Sequence, residues 1–424
     1  MEGIKIHCIG SPEIVGKAAF LLEYENHKLI LDYGVELSRP PKFPITVPPN
    51  EVDAVIITHA HLDHIGATPY LYVSGNMPLY TTKPTMDLAD LLIRDFLKLS
   101  GEFLPFEYID FLFMKQKSIY LDYRVPLKLN KTPFEIEFLD AGHIPGSAQV
   151  IIRAGKHRIL YTGDINTYET RLQRSADLRY EDDFDIVIIE STYGADKHPK
   201  RRRLEEVFVE KVSEVIENDG IALIPAFAVG RSQEILLILY CRNFKHKIVM
   251  DGMALEATRI LLGNPMYIKS PKRLRKAFQK VKKVKRWRER KRVLKEPAAI
   301  IAPAGMLGGG AAVYYISKLH KDPKNAIFLV GYQAPGSPGR VLLEEGVVMI
   351  DKSREKSEAP TYYFEFSSHT DQDGLRKILR KIPGDPLIVI VHGEERGRKA
   401  LAEIAEDYGF RVSLPYSGSK IELR

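Results

Sequence analysis

Cysteine is nearly absent: Cys8 and Cys241 are the two in 424 residues. That is too few for a disulfide framework and fits a reducing compartment. Long apolar runs are missing as well; the stretch 221–229 is about half of the ~20 residues a membrane span needs. The start, MEGIKIHCIG, enters a strand-like pattern without the basic-then-apolar leader of a secreted chain. A cytoplasmic protein is expected. Amide side chains are scarce too, sixteen Asn and Gln in all, a bias found where heat adaptation favours charge. At 45% hydrophobic and 28% charged residues, the composition excludes a disordered or fibrous chain. It leaves a soluble globular protein whose length implies two or three domains.

What the chain does have is concentrated positive charge. Its formal net charge is only +7, yet residues 272–295 hold fourteen Lys/Arg against one acid, Glu289. Without that segment the remainder would be net negative, so the basic character is local, as expected of contact with a polyanion. The plainer alternative is a solvated helix on a heat-adapted surface. The segment predicts one long helix, with Ser270 as N-cap and Pro271 at its first position. Leu274, Phe278, Val281, Val284 and Trp287 recur every three or four residues, and Pro297 ends the pattern. That stripe would pack on the body and leave the basic residues outward. The smaller cluster at 197–203 is read as a solvated helix start.

Strand-like runs at 54–58, 149–154, 157–162, 185–191, 221–224, 247–250, 299–302, 326–330 and 387–391 are apolar and β-branched. Helical patterns lie between them, among them 200–217, 233–241, 375–381 and 396–408. This alternation predicts an α/β architecture.

The most informative segment is THAHLDH. It follows the apolar run DAVIIT and precedes a helix-like stretch at 65–73. The imidazoles of His59, His61 and His64 would repel one another when protonated, and a core would reject them and Asp63 unless they held a cation. Imidazole nitrogen with carboxylate oxygen suits zinc, with manganese or iron open by ligand type. Further candidates end later strands beside glycine: His143 in AGHIPGSAQ, Asp164 in LYTGDIN and His392 in VIVHGE. His7, His27, His157, His198, His246 and His320 lack that setting and are assigned local roles.

HAHLDH resembles the HxHxDH signature of the metallo-β-lactamase fold, and Asp32 in LDYG, His143 and Asp164 match its other motifs in order. Glu190 in IIESTYG, His369 in FEFSSHTD and His392 resemble motifs A, B and C of the β-CASP nucleases. IPAFAVGRSQE, APAGMLGGG and VGYQAPGSPGR extend the likeness over nearly the whole chain. The wording is closest to archaeal cleavage-and-polyadenylation-specificity-factor-like ribonucleases of the type without KH domains. Motif B departs from the commoner SAHAD, and APGSPG from the usual threonine-leucine-glycine.

The resemblance implies an α/β fold: a metallo-β-lactamase αββα sandwich with an inserted α/β β-CASP domain. The expected boundaries are 1–195 and 367–424 for the sandwich and 196–366 for the insertion. It further implies two zinc ions: His59, His61 and His143 on one, Asp63, His64 and His392 on the other, and Asp164 bridging both. Asp32 would orient a ligand histidine. A histidine at motif C goes with RNA enzymes in that family, so His392 favours RNA.

Phosphodiester hydrolysis then needs a nucleophile, charge neutralisation and an acid for the leaving oxygen. Asp63 and Asp164 would orient the nucleophile and accept its proton, and His369 would protonate the departing 3′ oxygen with Glu190 holding it charged. Arg231, Ser368 and Arg340 are candidate contacts to single-stranded RNA, read through its backbone and not its sequence. The expected activity is a zinc-dependent ribonuclease of RNA 3′-end processing or decay. An RNase J-like 5′-to-3′ exoribonuclease is the alternative within the enzymes. A non-catalytic RNA-binding subunit and a small-molecule hydrolase are the readings outside it. A homodimer stays open.

Overall fold

The computed structural model describes residues 3–350 and 353–423. The chain divides into two compact units. One comprises Met1–Glu169, Arg174–Lys197 and His369–Arg424, the other Thr170–Gln173 and His198–Ser368.

The first unit is built on two seven-stranded sheets. In one the order is Lys420–Leu423, Ile4–Cys8, Ala19–Tyr24, His27–Tyr33, Ala54–Ile56, Leu79–Thr81, Ser118–Tyr120. In the other it is Arg411–Ser413, Leu387–Val391, Ile186–Glu190, His157–Tyr161, Ala148–Ala154, Phe134–Asp140, Leu127–Lys128. Side chains alternate faces along a strand, so each central strand needs two apolar faces. Leu29, Leu31, Ile56, Ile136, Val150, Ile159, Ile186, Ile188 and Val389 form one buried core shared by the two sheets. The intervening residues of the first sheet, Ile30, Val55 and Leu79, pack against Ile65, Met86, Ile93 and Phe111. Those of the second, Val187, Ile189, Ile388 and Ile390, pack against Leu375, Ile378, Leu401 and Ile404. Helices therefore cover both outer faces, giving the expected αββα sandwich.

The second unit is the inserted α/β domain. Its six-stranded parallel sheet runs Lys282–Val284, Ile248–Asp251, Ala298–Ala302, Ile221–Pro225, Ala326–Leu329, Thr361–Tyr363. Helix Arg201–Glu217 leads into this sheet, and helices Arg231–Cys241 and Gly310–Leu319 connect its strands.

Two local expectations change. The segment at 65–73 forms short helices Leu62–Ile65 and Thr68–Leu71 instead of one. The basic segment is not one helix either: helix Pro271–Lys280 is followed by strand Lys282–Val284 and helix Trp287–Val293. The strand pairs in parallel with Ile248–Asp251, Val249 opposite Lys282. Tertiary pairing thus overrides the helical period at β-branched Val284, which is buried as a strand residue, while Val281, also buried, has extended backbone just past the helix end. Ser270 accepts no capping bond through its side chain, and Trp287 is 58% exposed instead of packed on the body.

Candidate metal centre and active site

Strand ends of both sheets supply the ligand-type residues. The chain leaves strand Ala54–Ile56 through His59 and His61, and helix Leu62–Ile65 carries Asp63 and His64. Gly34, next to strand His27–Tyr33, lets this turn come close, since a Cβ there would lie 1.7 Å from the Asp63 carbonyl oxygen. From the other sheet, His143 sits between Phe134–Asp140 and Ala148–Ala154. Asp164 follows His157–Tyr161, and His392 follows Leu387–Val391.

These residues converge as two groups. His59 Nε2 and His143 Nε2 each lie 3.2 Å from His61 Nδ1. Asp164 Oδ2 is 3.4 Å from His59 Nε2 and 3.6 Å from His143 Nε2. In the second group His392 Nε2 is 3.4 Å from both Asp63 Oδ2 and His64 Nε2. Asp164 turns its other oxygen, Oδ1, to this group, 3.2 Å from His64 Nε2 and 3.4 Å from His392 Nδ1. One carboxylate therefore addresses both groups, an oxygen to each.

The donor set fits metal ions. A tetrahedral centre with zinc–nitrogen bonds of ~2.0–2.1 Å holds its ligands about 3.3 Å apart, close to the spacing seen. Burial pushes His59 well below the usual imidazole range and His61 to about 4, so both present lone pairs at neutral pH. Burial raises Asp63 and Asp164, but the surrounding histidines outweigh it and hold both carboxyls well below the ordinary range. Asp164 Oδ1 is buried and, beyond its approach to His64 and His392, has no well-formed hydrogen bond among the described residues. An unsatisfied buried carboxylate oxygen is costly, and a cation would satisfy it.

Asp32 organises one ligand. Its Oδ2 lies 2.7 Å from His64 Nδ1, and it accepts from Thr58 N, Thr58 Oγ1 and Tyr161 Oη, each at 2.8 Å. The bond to Nδ1 leaves His64 Nε2 facing Asp164, the arrangement a ligating imidazole needs. Asp32 and His392 both hold positive φ, 53° and 50°. For non-glycine residues this costs on the order of 1–3 kcal/mol each and persists where the surroundings impose it.

His369 Nε2 stands 3.8 Å from Asp164 Oδ2, and its Nδ1 faces Glu190. Burial lowers this imidazole, but Glu190 and Asp164 outweigh it and raise it to about 9. Glu190 is itself fixed, accepting from Ile165 N at 2.8 Å and Thr192 Oγ1 at 2.5 Å. Asp164, Glu190 and His369 are also close enough to form a third group of metal-ligand type.

Sequence reasoning overlooked Tyr161, whose phenol anchors Asp32, and Thr192, whose hydroxyl also lies 3.3 Å from His392 Nδ1. Both sit inside quoted motifs, LYTGD and ESTYG, where their polarity beside ligands was the available signal.

In the second unit, Arg231 donates from Nη2 to Ser368 Oγ at 3.0 Å. Arg340 pairs with Glu344 one turn along its helix at 2.6 Å. Both arginines act on the Tyr363 hydroxyl, which burial raises and their charges lower. Arg201, expected to be solvated, instead packs on the Phe366 ring at 4.7 Å and pairs with Glu205 and Glu234, so its charge is met inside the unit.

Comparison with known proteins gives the same reading of the fold. The profile of the metallo-beta-lactamase superfamily matches residues 15–178, that of the Beta-Casp domain 232–342, and that of the Zn-dependent metallo-hydrolase RNA specificity domain 358–415. The chain belongs to the metallo-β-lactamase superfamily, in its Beta-Casp group. It is 38% identical over 419 residues to "RNase aCSPSF2" of Saccharolobus solfataricus, covering 98% of this chain and 84% of that one. It is 37% identical over 424 residues to "Probable RNase MJ4" of Methanocaldococcus jannaschii, covering 96% and 97%. A solved structure of a protein of unknown function from Enterococcus faecalis aligns with a TM-score of 0.64 at 17% identity. The alignment covers 99% of this chain and 100% of that one, which shows the shared fold.

Proposed function

We propose that the chain hydrolyses single-stranded RNA in the cytoplasm with two zinc ions, in 3′-end processing or decay. That it is a metal-dependent ribonuclease follows from its family and from relatives at 37–38% identity named RNases. The observation that carries the two-metal reading is Asp164, with Oδ2 toward His59 and His143 and Oδ1 toward His64 and His392. One ion would be held by His59, His61, His143 and Asp164, the other by Asp63, His64, His392 and Asp164. When bound, such ions supply positive charge against the phosphate oxygens and lower the pKa of water toward ~7.

The remaining work falls to the protein. Asp63, 26% exposed at its side chain beside the buried ligands, orients the attacking water and takes its proton. His369 holds its Nδ1 against Glu190, which leaves Nε2 to protonate the departing 3′ oxygen. Arg231, Ser368 and Arg340 would meet the RNA backbone.

The test is incubation of zinc-loaded protein with a circular single-stranded RNA and its linear 5′-phosphorylated form, beside Asp63→Ala. Cutting of the circle, lost in the variant, establishes internal cleavage. Digestion of the linear form alone makes the enzyme an exoribonuclease. If neither RNA is touched by zinc-loaded protein, the hydrolytic reading fails and a non-catalytic RNA-binding role replaces it.

A further inference from the structure

The second unit carries a basic groove that none of the proposed catalytic or RNA-contacting residues lines. It has a volume of about 840 Å³. The end of helix Arg231–Cys241, the segment 243–248 and helix Pro271–Lys280 with Lys282 form its walls. Six Lys or Arg side chains and His246 line it, and no Asp or Glu does among the described residues.

Amphipathicity explains how the groove forms. Helix Pro271–Lys280 buries Leu274, Ala277 and Phe278, which leaves Arg273 and Lys280 exposed at its surface. The break after Lys280 matters equally. Because the next residues pair as a strand beside Ile248–Asp251, Lys282 is brought to the same groove. A continuous helix would have carried the charge away along its axis.

Some of the cations are spoken for: Arg171 holds Glu205, and Lys247 holds Glu296. Arg273, Lys280 and Lys282 form no ion pair among the described residues, although the chain makes many elsewhere. Like charges gathered around one concavity repel, and that repulsion is relieved only by anions from outside. The groove is not purely ionic. Tyr240 and Phe244, both half-buried, line it, with Lys280 Nζ 5.4 Å from the Tyr240 ring centre. Cationic side chains interleaved with aromatic rings suit single-stranded nucleic acid, whose phosphates and bases need both. A lipid surface would want a flat or convex face, and an acidic peptide has no use for ring platforms.

We propose that this groove is a second binding site for single-stranded RNA, engaging substrate through phosphates and stacked bases apart from the residues that cut it. The proposal rests on the chain being a ribonuclease for its choice of polyanion. Its test is a binding measurement, so that failure of cleavage and failure of the groove are read separately.

The probe is a fluorescent oligouridylate of about twenty nucleotides, enough to exceed the site of a single ssRNA-binding module. Its binding to the full chain is followed by anisotropy in chelator, which stops hydrolysis. The test protein carries Arg273→Glu, Lys280→Glu and Lys282→Glu, and the control carries Lys128→Glu, Lys131→Glu and Lys156→Glu. All six positions are exposed, so both proteins should fold, and both change net charge equally. The groove variant is expected to bind at least about tenfold more weakly, with the slope of log affinity against log salt reduced by about two. The control should stay close to the parent.

Equal weakening in both variants would overturn the proposal by reducing it to net charge, and so would unchanged binding in the groove variant. A polyglutamate peptide that displaces the RNA from the parent at equal charge concentration would also overturn it. If the parent binds RNA through the groove but never cleaves it with zinc, the ribonuclease reading falls and the groove stands.

Discussion

His369 Nδ1 lies 2.9 Å from one Glu190 oxygen and 3.0 Å from the other, across 179 residues of sequence. Nδ1 thus faces both oxygens of a buried carboxylate, while Nε2 is turned toward Asp164 at 3.8 Å. Glu190→Gln removes the charge and keeps the shape. Turnover should fall about 100-fold or more, in the range general acids contribute, with metal content unchanged. His369→Ala should cost about as much, and the double variant little more, because the two act as a unit. Loss of metal in step with activity would instead make the pair ligands.

Asp63→Ala should separate the two metal positions. Asp63 neighbours only the His64–His392 group, so the protein should bind one zinc per chain where the parent binds two. Elemental analysis after gel filtration reads this directly. Two zincs retained would remove Asp63 from the ligand set.

Asp32→Asn tests the orienting contact at 2.7 Å to His64. Losing such a partner weakens metal affinity by roughly 10–100-fold, measurable by competition with a chromophoric chelator. Tyr161→Phe, which removes one of four bonds to Asp32, should cost less. Undiminished affinity in Asp32→Asn would show that His64 needs no help from this carboxylate.

Stability of the second unit should depend on acid through Glu205. Burial raises this carboxyl, but Arg171, Arg201 and Arg242 outweigh it and hold it below the usual range. A depressed folded pKa adds stability above the unfolded value of ~4.3, lost as pH falls through the folded value. Glu205→Gln should therefore be less stable at pH about 7, by on the order of 1–3 kcal/mol, since Arg201 keeps Glu234 and Arg242 keeps Glu206. The gap to the parent should close in acid. A constant gap across pH would point to lost packing instead.

Much of the metal site is legible in the sequence because ligand chemistry is local. Three imidazoles and a carboxylate crowd into six residues, and the remaining candidate ligands each come within a few residues of an apolar strand's end. The alternation of strands and helices is legible from the residues themselves, whereas the sandwich and its insertion are legible only through the resemblance of the motifs. Tyr161 and Thr192 are harder to see. Their roles come from contacts 129 and 200 residues away, which no local pattern encodes. The basic segment misleads because helical spacing survives at Val281 and Val284, although the helix ends at Lys280 and strand pairing takes over from Lys282. Arg201 misleads because a run of cations looks solvated until the acids Glu205 and Glu234 arrive beside it.

Strand Leu387–Val391 lies between Ile186–Glu190 and Arg411–Ser413 in its sheet, in register with Glu190 opposite Val391. His392 is thus delivered by an interior strand made after nine-tenths of the chain. During synthesis the polypeptide holds HAHLDH early, but the second group closes only once strand Leu387–Val391 has inserted beside Ile186–Glu190. Nor can an unfinished copy borrow the missing histidine locally, because the inserted domain separates the two paired strands. Completion of the second group is thereby tied to late folding of the first unit, long after its first motif has been made.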